Sequence, residues 1–228
     1  MLGHEIHRDA IVGPCIVLSL KHARMSRGAR LGPFNVIRSV ALVELREDAD
    51  IGSFNWISAH PMYQGLFPGA GTFAMRSQAA VTSRHYIDCS GTVELGHFCV
   101  LAGHRTTILT HEASLSAPIQ QVGKVTVGAR SAVFTNSVLL MGTRVPPGSI
   151  VAAHATVTGD STRKGEPGLY AGTPARRIAD VPCGPGTALG RDTRDISAAE
   201  VTEPLGISDA PELNRLEDHA TRPVRNQT

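Results

Sequence analysis

The chain has 228 residues, of which 42% are apolar, 18% charged and only 4% aromatic, with 23 glycines and 14 prolines. Residues 1–179 carry seventeen basic and eleven acidic side chains, a net charge of +6 that suits an anionic small molecule but is too dispersed to indicate nucleic-acid binding. The N-terminus lacks a signal-peptide pattern, and no apolar run approaches the roughly 20 residues of a membrane helix, so we expect a cytoplasmic protein.

A six-residue repeat runs through most of the chain. Aliphatic residues recur every sixth position, and a small residue follows each of them four positions later. The early members are Leu31 and Ile37 with Asn35 and Ala41, then Leu45, Ile51 and Ile57 with Ala49 and Asn55, and then Leu95, Cys99 and Leu101. The regular members are Val127, Val133, Leu139, Val145, Val151 and Val157, with Ser131, Ser137, Thr143, Ser149 and Ala155.

This period indicates a coiled ribbon of short strands. An α-helix repeats every 3.6 residues, and a flat strand cannot continue for thirty residues through Gly and Pro. A corner after every sixth residue fits both facts, and three sides then give about eighteen residues per coil. Two segments interrupt the pattern, at residues 60–84 and 111–124, and long loops on a rigid scaffold are common places for function.

Over roughly residues 5–178 the repeat resembles that of the hexapeptide-repeat acyltransferase family, with Ile51-Gly52, Leu95-Gly96 and Val127-Gly128 each opening a hexad. The resemblance implies an all-β fold, a left-handed parallel β-helix with two loop excursions, in which the left hand comes from the family and not from the spacing. It also implies an acyl-CoA donor such as acetyl-CoA, a homotrimer, no metal, and O-acetylation of a saccharide, as in polysaccharide biosynthesis.

His85 and Asp88 are candidates for acceptor binding, because they stand where the first interruption returns to the coil. With eighteen residues per coil, position 85 is predicted to stack under position 103. Asp88 could instead orient a histidine by accepting its N–H. The alternatives are a partly buried His85 and a corner-turn Asp88. Arg105 departs from the small-residue rule, so it either binds an anionic or sugar substrate or marks an irregular coil.

His111 is the predicted general base, since it opens the second interruption in the string Thr107-Ile108-Leu109-Thr110-His111-Glu112. Imidazole can take a hydroxyl proton near neutral pH. The string resembles the T-H step of family members, in which the catalytic His opens the excursion. Glu112 is a further candidate for acceptor binding. A surface histidine is the alternative reading of His111.

The donor site is expected on the C-terminal coils by the same resemblance. There Ala153 and Thr158 correspond to the residues that line the pantetheine channel, and Thr135 falls one coil earlier on the same face. Gly172-Thr173-Pro174-Ala175-Arg176 resembles the closing signature of the family, in which the basic residue approaches the nucleotide phosphates. Gly159 and Ala179 stand where many members have basic residues, so Arg163, Lys164 or Arg177 would have to substitute.

Residues 1–179 are predicted to form the β-helix domain and residues 180–228 a mostly disordered tail with a short helix near Ala210 to Leu216, because the tail is polar and has no hexad. Two rival functions share the fold. One is a non-catalytic scaffold or binding protein. The other is a γ-carbonic-anhydrase-like zinc enzyme, which needs two histidines five residues apart, whereas His97 and His104 are seven apart.

The cysteines, Cys15, Cys89, Cys99 and Cys183, form no CxxC pair and are predicted to be buried thiols.

Overall fold

The structure is a computed structural model that describes residues 3–66, 68–114 and 117–181. The strands in chain order are β1 (Glu5–Ile6), β2 (Ile11–Val12), β3 (Ile16–Met25), β4 (Arg30–Leu31), β5 (Val36–Leu45), β6 (Asp50–Ile51), β7 (Trp56–Ser58), β8 (Thr72–Met75), β9 (Ala80–Ser83), β10 (Tyr86–Asp88), β11 (Thr92–Leu95), β12 (Val100–His104), β13 (Thr107–Ile108), β14 (His111–Ala113), β15 (Gln120–Val122), β16 (Lys124–Val127), β17 (Ala132–Val133), β18 (Val138–Leu139), β19 (Arg144–Val145), β20 (Ile150–Val151), β21 (Thr156–Val157), β22 (Leu169–Gly172) and β23 (Ala175–Ala179). A 3₁₀ helix covers Pro61–Gly65.

The strands form three parallel faces around one core. Face A contains β7, β10, β13, β18 and β21, and face B contains β8, β11, β16 and β19. The long strands β3 and β5 bend so that each contributes to both faces. Face C contains β2, β4, β6, β9, β12, β17, β20 and β22. Up to β21 the chain passes from face C to A to B in each coil, so these coils have a C–A corner and an A–B corner.

The register confirms the hexad prediction. In the last coils Val127 pairs with Val145, Val133 with Val151, and Leu139 with Val157, each eighteen residues apart. All six aliphatic members of this series are buried, and so are the small residues at the corners, Ser131, Ser137, Thr143, Ser149 and Ala155. The fold is therefore the predicted left-handed parallel β-helix.

The first interruption is shorter than predicted. Only residues 59–71 leave the coil, because β8 and β9 pair in regular parallel register with their neighbours. The interior positions there hold Phe73, Met75 and Val81, all buried, and an aromatic ring and a thioether hid the aliphatic repeat. The prediction that residues 72–84 belong to a loop, and that His85 marks its return, is wrong.

Both excursions leave the same corner. The first loop, residues 59–71, follows β7 at the A–B corner, and its Gln64 side chain donates to the carbonyl of Ser39. The second is the antiparallel hairpin of β14 and β15, which follows β13 two coils later. The coil between them turns this corner tightly through Cys89–Gly91, so the two loops flank it.

Within the described part of the chain, the structure holds no helix with the length and apolar character that a membrane span requires. The last described strand ends at Ala179. The predicted tail and its short helix lie almost entirely at positions 182–228, outside the described residues, so the predicted domain boundary stays a prediction.

Candidate active site

Two adjacent coils bring Asp88 and His111 together at the A–B corner. Asp88 is the last residue of β10, and β10 pairs directly with β13, which ends just before Thr110 and His111. One coil step therefore carries the chain from the carboxylate to the imidazole. Nδ1 of His111 lies 2.8 Å from Oδ2 of Asp88. The sequence suggested that Asp88 could orient a histidine, and the contact with His111 has that geometry.

Asp88 is held by a dense set of hydrogen bonds. Its Oδ1 accepts from the Ser90 hydroxyl at 2.6 Å, and its Oδ2 accepts from the backbone N–H and hydroxyl of Thr110 at 2.9 and 2.8 Å. Burial by itself would raise the pKa of Asp88, but the hydrogen bonds from Ser90, His111 and Thr110 outweigh it and lower the pKa. Asp88 is thus a carboxylate anion at neutral pH, although its side chain is only 7% exposed.

The anion determines the tautomer of His111. An ionised carboxylate can only accept a hydrogen bond, so Nδ1 of His111 donates to it and Nε2 is left as the proton-accepting nitrogen. The His111 side chain is 37% exposed. The ring of Tyr63, from the first loop, lies 5.6 Å from the imidazole, centroid to centroid, at an interplanar angle of 37°.

A pocket of about 440 Å³ opens beside this pair. Its walls come from face A and the start of the first loop, and they include Arg38, Ser58, His60, Tyr86, Asp88 and His111. Ser90 joins the loop to the pair, since its hydroxyl accepts from the backbone N–H of His60 at 2.9 Å while donating to Asp88. The arrangement offers a base, a fixed carboxylate and room for a small substrate.

His85 lies at the other end of β10, inside the C–A corner, and is not among the residues that line this pocket. Its ring is 2% exposed, Nδ1 accepts from the backbone N–H of Thr106 at 3.1 Å, and Nε2 lies 2.9 Å from the Thr82 hydroxyl. Burial, followed by the nearby His104, lowers the pKa of His85 to about 4. The contacts are those of the partly buried histidine that the sequence left as the alternative.

His85 continues a ladder of polar side chains. The carbonyl oxygen of the Asn35 side chain accepts from the backbone N–H of Asn55, Asn55 accepts in the same way from His85, and His85 from Thr106. Position 85 therefore stacks under Thr106 and not under position 103, which the eighteen-residue spacing predicts. The coil is longer than eighteen residues, and its register shifts between Leu101 and His104.

The remaining acceptor candidates lie on either side of His111. Arg105 is exposed at the C–A corner with a positive φ of 61°, and its backbone N–H bonds to Arg84. Thr106 is the small buried residue of this corner and Arg105 directly precedes it, while the shift in register lies between Leu101 and His104. Glu112 is exposed on β14, opposite Gln121 of β15.

The donor candidates occupy two corners of the last coils. Thr135 and Ala153 stack at the C–A corner, where the N–H of His154 donates to the carbonyl of Thr135. Thr158 follows β21 at the A–B corner and bonds to Ser161. Face A thus separates Ala153 from Thr158.

The closing signature forms the turn between β22 and β23. Gly172 pairs with Ala175 across this turn, and the Thr173 hydroxyl reaches the hydroxyl of Thr156 on face A at 3.2 Å. Arg176 is exposed on β23 opposite Ala171. Pro174 is exposed at the tip.

Gly159 and Ala179 stand where many members of the resembled family have basic residues, and the three basic residues that could replace them differ in their surroundings. Arg163 forms an ion pair with Asp160, and Arg177 with Asp180. Lys164 is exposed and, within the described residues, forms no ion pair. Arg176 and Lys164 are thus exposed cations that form no ion pair within residues 3–66, 68–114 and 117–181.

Four residues at the pocket or beside His111 escaped sequence reasoning. His60, Tyr63 and Arg38 carry no motif and depend on which coil lies beside which, whereas Ser90 follows Asp88 by two residues in the same coil. One signal in the sequence could have found them. The two loops are separated by a whole number of coils, and loops separated in this way leave the helix at the same corner. The uneven coil lengths concealed that signal.

The described cysteines and possible metal ligands lie as follows. Cys89, next to Asp88, is completely buried, and burial followed by the Asp88 charge raises its pKa far above the usual range. Among residues 3–66, 68–114 and 117–181, no three His, Cys, Asp or Glu side chains cluster as a metal site would require. Cys99 is buried as well, while Cys15 is partly exposed and Cys183 lies outside the described residues.

Known structures share this architecture. The chain matches the crystal structure of the polysialic acid O-acetyltransferase OatWY with a TM-score of 0.56 and 14% identity, over 93% of this chain and 94% of that one. It also matches a point mutant of AntD, an N-acyltransferase from Bacillus cereus in complex with dTDP and coenzyme A, with a TM-score of 0.43 and 15% identity, over 78% and 83% of the two chains. No family model matches the sequence, and no curated protein does. At this identity the first match establishes the fold, a left-handed parallel β-helix.

Proposed function

We propose that the protein is an acyl-CoA-dependent O-acyltransferase, with acetyl-CoA as donor and a saccharide hydroxyl as acceptor. The observation that carries the proposal is the Asp88–His111 pair, a fixed carboxylate 2.8 Å from an imidazole at the edge of an open pocket. The shared fold of a polysialic acid O-acetyltransferase supports the same chemistry. The hexapeptide-repeat resemblance supports it independently.

In the proposed mechanism His111 is the catalytic base. Its Nε2 takes the proton of the acceptor hydroxyl as that oxygen attacks the thioester carbonyl carbon. The imidazolium is stabilised by the Asp88 anion on Nδ1. When the tetrahedral intermediate collapses, the carbon–sulfur bond breaks, the new ester remains on the acceptor, and the thiolate of coenzyme A receives the proton from His111.

Direct transfer is preferred over a covalent acyl-enzyme. The thiol nearest to the pair, Cys89, is enclosed in the core with a raised pKa and cannot reach the substrate. The Ser90 hydroxyl is buried and already donates to Asp88. Neither is placed as an activated nucleophile.

The donor is proposed to lie along face A of the last coils. Thr135, Ala153 and Thr158 would contact the pantetheine, and the turn of Gly172, Thr173 and Pro174 would cover it beside Thr156. Arg176 and Lys164 would neutralise phosphates, which guanidinium and ammonium groups bind well. We also propose a homotrimer, in which a neighbouring subunit packs against face A and encloses the donor.

The test is release of the coenzyme A thiol from acetyl-CoA in the presence of a panel of saccharides, with mass spectrometry of the products. We expect one ester-linked acetyl group on the acceptor and tight binding of coenzyme A by calorimetry. If coenzyme A does not bind to the folded protein, the proposal is wrong and the scaffold function is favoured.

A further inference from the structure

One cation in the pocket is not used by the proposed mechanism. Arg38, on β5, lines the same pocket as His111 and is exposed. Its guanidinium makes no ion pair or hydrogen bond with any described residue. Arginines on face B behave differently, because Arg46 pairs with Glu44 and Arg76 with Glu94 at 2.6 Å each.

Arg38 stands at a fixed distance from the reacting pair. The register aligns Arg38 with Ser58 and Ser58 with Asp88, so that the three residues occupy successive rungs of face A. Two rungs separate backbones by about 10 Å. Arg38 and His111 both line the pocket, and the Ser58 rung lies between Arg38 and Asp88.

The pocket does not neutralise Arg38. Asp88 is the acidic side chain in its lining, and that carboxylate is buried and bonded to Ser90, Thr110 and His111. The other titratable groups in the lining are the side chains of His60, Tyr86 and His111. A positive charge without a partner therefore faces the space where the acceptor would lie.

An aromatic surface adjoins this charge. Tyr86 lines the pocket with 46% of its surface exposed, and its register partner on β7 is Trp56, which is 38% exposed. Exposed rings on a sheet provide an apolar platform with a polar edge, a surface that suits the ring face of a sugar.

We infer that the acceptor is an acidic saccharide whose carboxylate binds Arg38. Its ring packs on Tyr86, and the hydroxyl to be acylated reaches Nε2 of His111. A planar guanidinium binds a carboxylate through two parallel hydrogen bonds, which fixes orientation as well as charge. The inference rests on the proposed function and specifies its substrate class.

The test uses matched acceptors that differ only in charge. Oligomers of sialic acid and of galacturonic acid are compared with their methyl esters, which keep the shape and hydroxyls but lose the anion. Kinetics are measured for wild type, Arg38→Gln, Arg38→Lys and the control Arg8→Gln, whose side chain is exposed before β2. Coenzyme A binding is measured for each variant as a check on folding.

We expect the wild type to acylate at least one acid with a KM at least about tenfold below that of its ester, since hydrogen bonds to charged groups are the stronger ones. Arg38→Gln should remove that preference and leave kcat within about twofold, because the group binds without touching the reacting atoms. Arg38→Lys should restore part of the preference, and Arg8→Gln should have no effect.

Equal KM values for acids and esters, turnover of neutral sugars alone, or an unchanged preference in Arg38→Gln would overturn the inference and leave the acyltransferase proposal standing. Coenzyme A binding without binding or turnover of any acid would overturn it as well. Loss of coenzyme A binding by the wild type would instead reject the acyltransferase proposal.

Discussion

The two ends of strand β10 place ionisable groups in opposite situations. At its start His85 lies in the C–A corner with both ring nitrogens bonded to protein and a pKa lowered to about 4 by burial. At its end Asp88 lies in the A–B corner and holds His111, whose second nitrogen is not needed by the fold. Only two residues separate a structural histidine from the aspartate of the proposed catalytic pair.

The difference shows how hydrogen-bond saturation separates structure from chemistry. A histidine whose donor and acceptor are both used inside the protein cannot exchange a proton with a substrate without breaking the ladder. A histidine fixed on one nitrogen and open on the other can do so. Substitutions at both ends of β10 test this distinction.

Replacing His111 by Ala should reduce acyl transfer by at least about 100-fold, because the step loses its base. Coenzyme A binding and the melting temperature should change little, since the ring is partly exposed. Steady-state thiol release gives the rate. His85→Asn is the matched control, and a His111→Ala variant with near-normal turnover would remove His111 from the mechanism.

Replacing Asp88 by Asn should lower kcat by about 100-fold or more while leaving the acceptor KM nearly unchanged. The amide cannot stabilise the imidazolium and can bind the wrong tautomer of His111. Because the pKa of Asp88 lies below its usual range, Asp88 should stay ionised in wild-type assays above pH 5. A kcat within threefold of the wild type would mean that the 2.8 Å contact is only structural.

His85→Ala should destabilise the fold by about 1–3 kcal/mol, because the buried N–H of Thr106 loses its acceptor. His85→Asn should restore most of this stability by extending the Asn35–Asn55 ladder. Denaturant unfolding at pH 7 measures both variants. If the alanine variant were fully stable but inactive, His85 would belong with the catalytic residues.

The same residue predicts a pH dependence of stability. The pKa of His85 is about 4 in the folded protein and 6.5 in the unfolded chain. The contribution of neutral His85 to the free energy of unfolding is therefore fully present above pH 6.5 and is lost as the pH falls towards 4. The loss should amount to roughly 3 kcal/mol across that window. The free energy of unfolding, measured at several pH values, should change much less with pH for His85→Asn than for the wild type. Equal pH dependence in the two proteins would contradict the burial of a neutral His85 ring.

The smallest effect is expected for Ser90→Ala. The variant removes one hydrogen bond to Asp88 and the acceptor for the His60 N–H, but Thr110 and His111 still hold the carboxylate. We expect kcat to fall by roughly tenfold or less. The same rate is measured for Thr92→Ala, which loses a hydrogen bond to the first loop away from Asp88 and His111. A larger fall in kcat for Ser90→Ala would show that Ser90 positions Asp88, and an equal fall would mean that both variants only loosen the loop.

The sequence predicted the architecture well where each hexad position has one physical requirement. Val127 to Val157 had to be aliphatic because they fill a narrow interior, and the serines had to be small because they turn a corner. The prediction failed where unusual residues met the same requirement, as with Phe73 and Met75 inside β8 and His85 in the polar ladder. A further shift, between Leu101 and His104, makes Thr106 the small corner residue and leaves Arg105 one position before it.

For the site, the sequence identified His111 and Asp88 separately but could not join them. Their contact depends on a coil that is longer than eighteen residues, and that length is set by corner geometry and not by the repeat. Arg38 reaches the pocket from another coil, and Tyr63 reaches His111 from the first loop. Their neighbours are fixed by strand register, which hydrophobic spacing does not determine.

A crystal structure with acetyl-CoA would give the distance from the thioester carbonyl carbon to Nε2 of His111, on which the assignment of His111 as the base depends. One acceptor oxygen must fit between them, so we predict a separation within about 6 Å, with the donor on face A. A thioester bound at another face, or at the His85 end of β10, would contradict the assignment of His111 as the base.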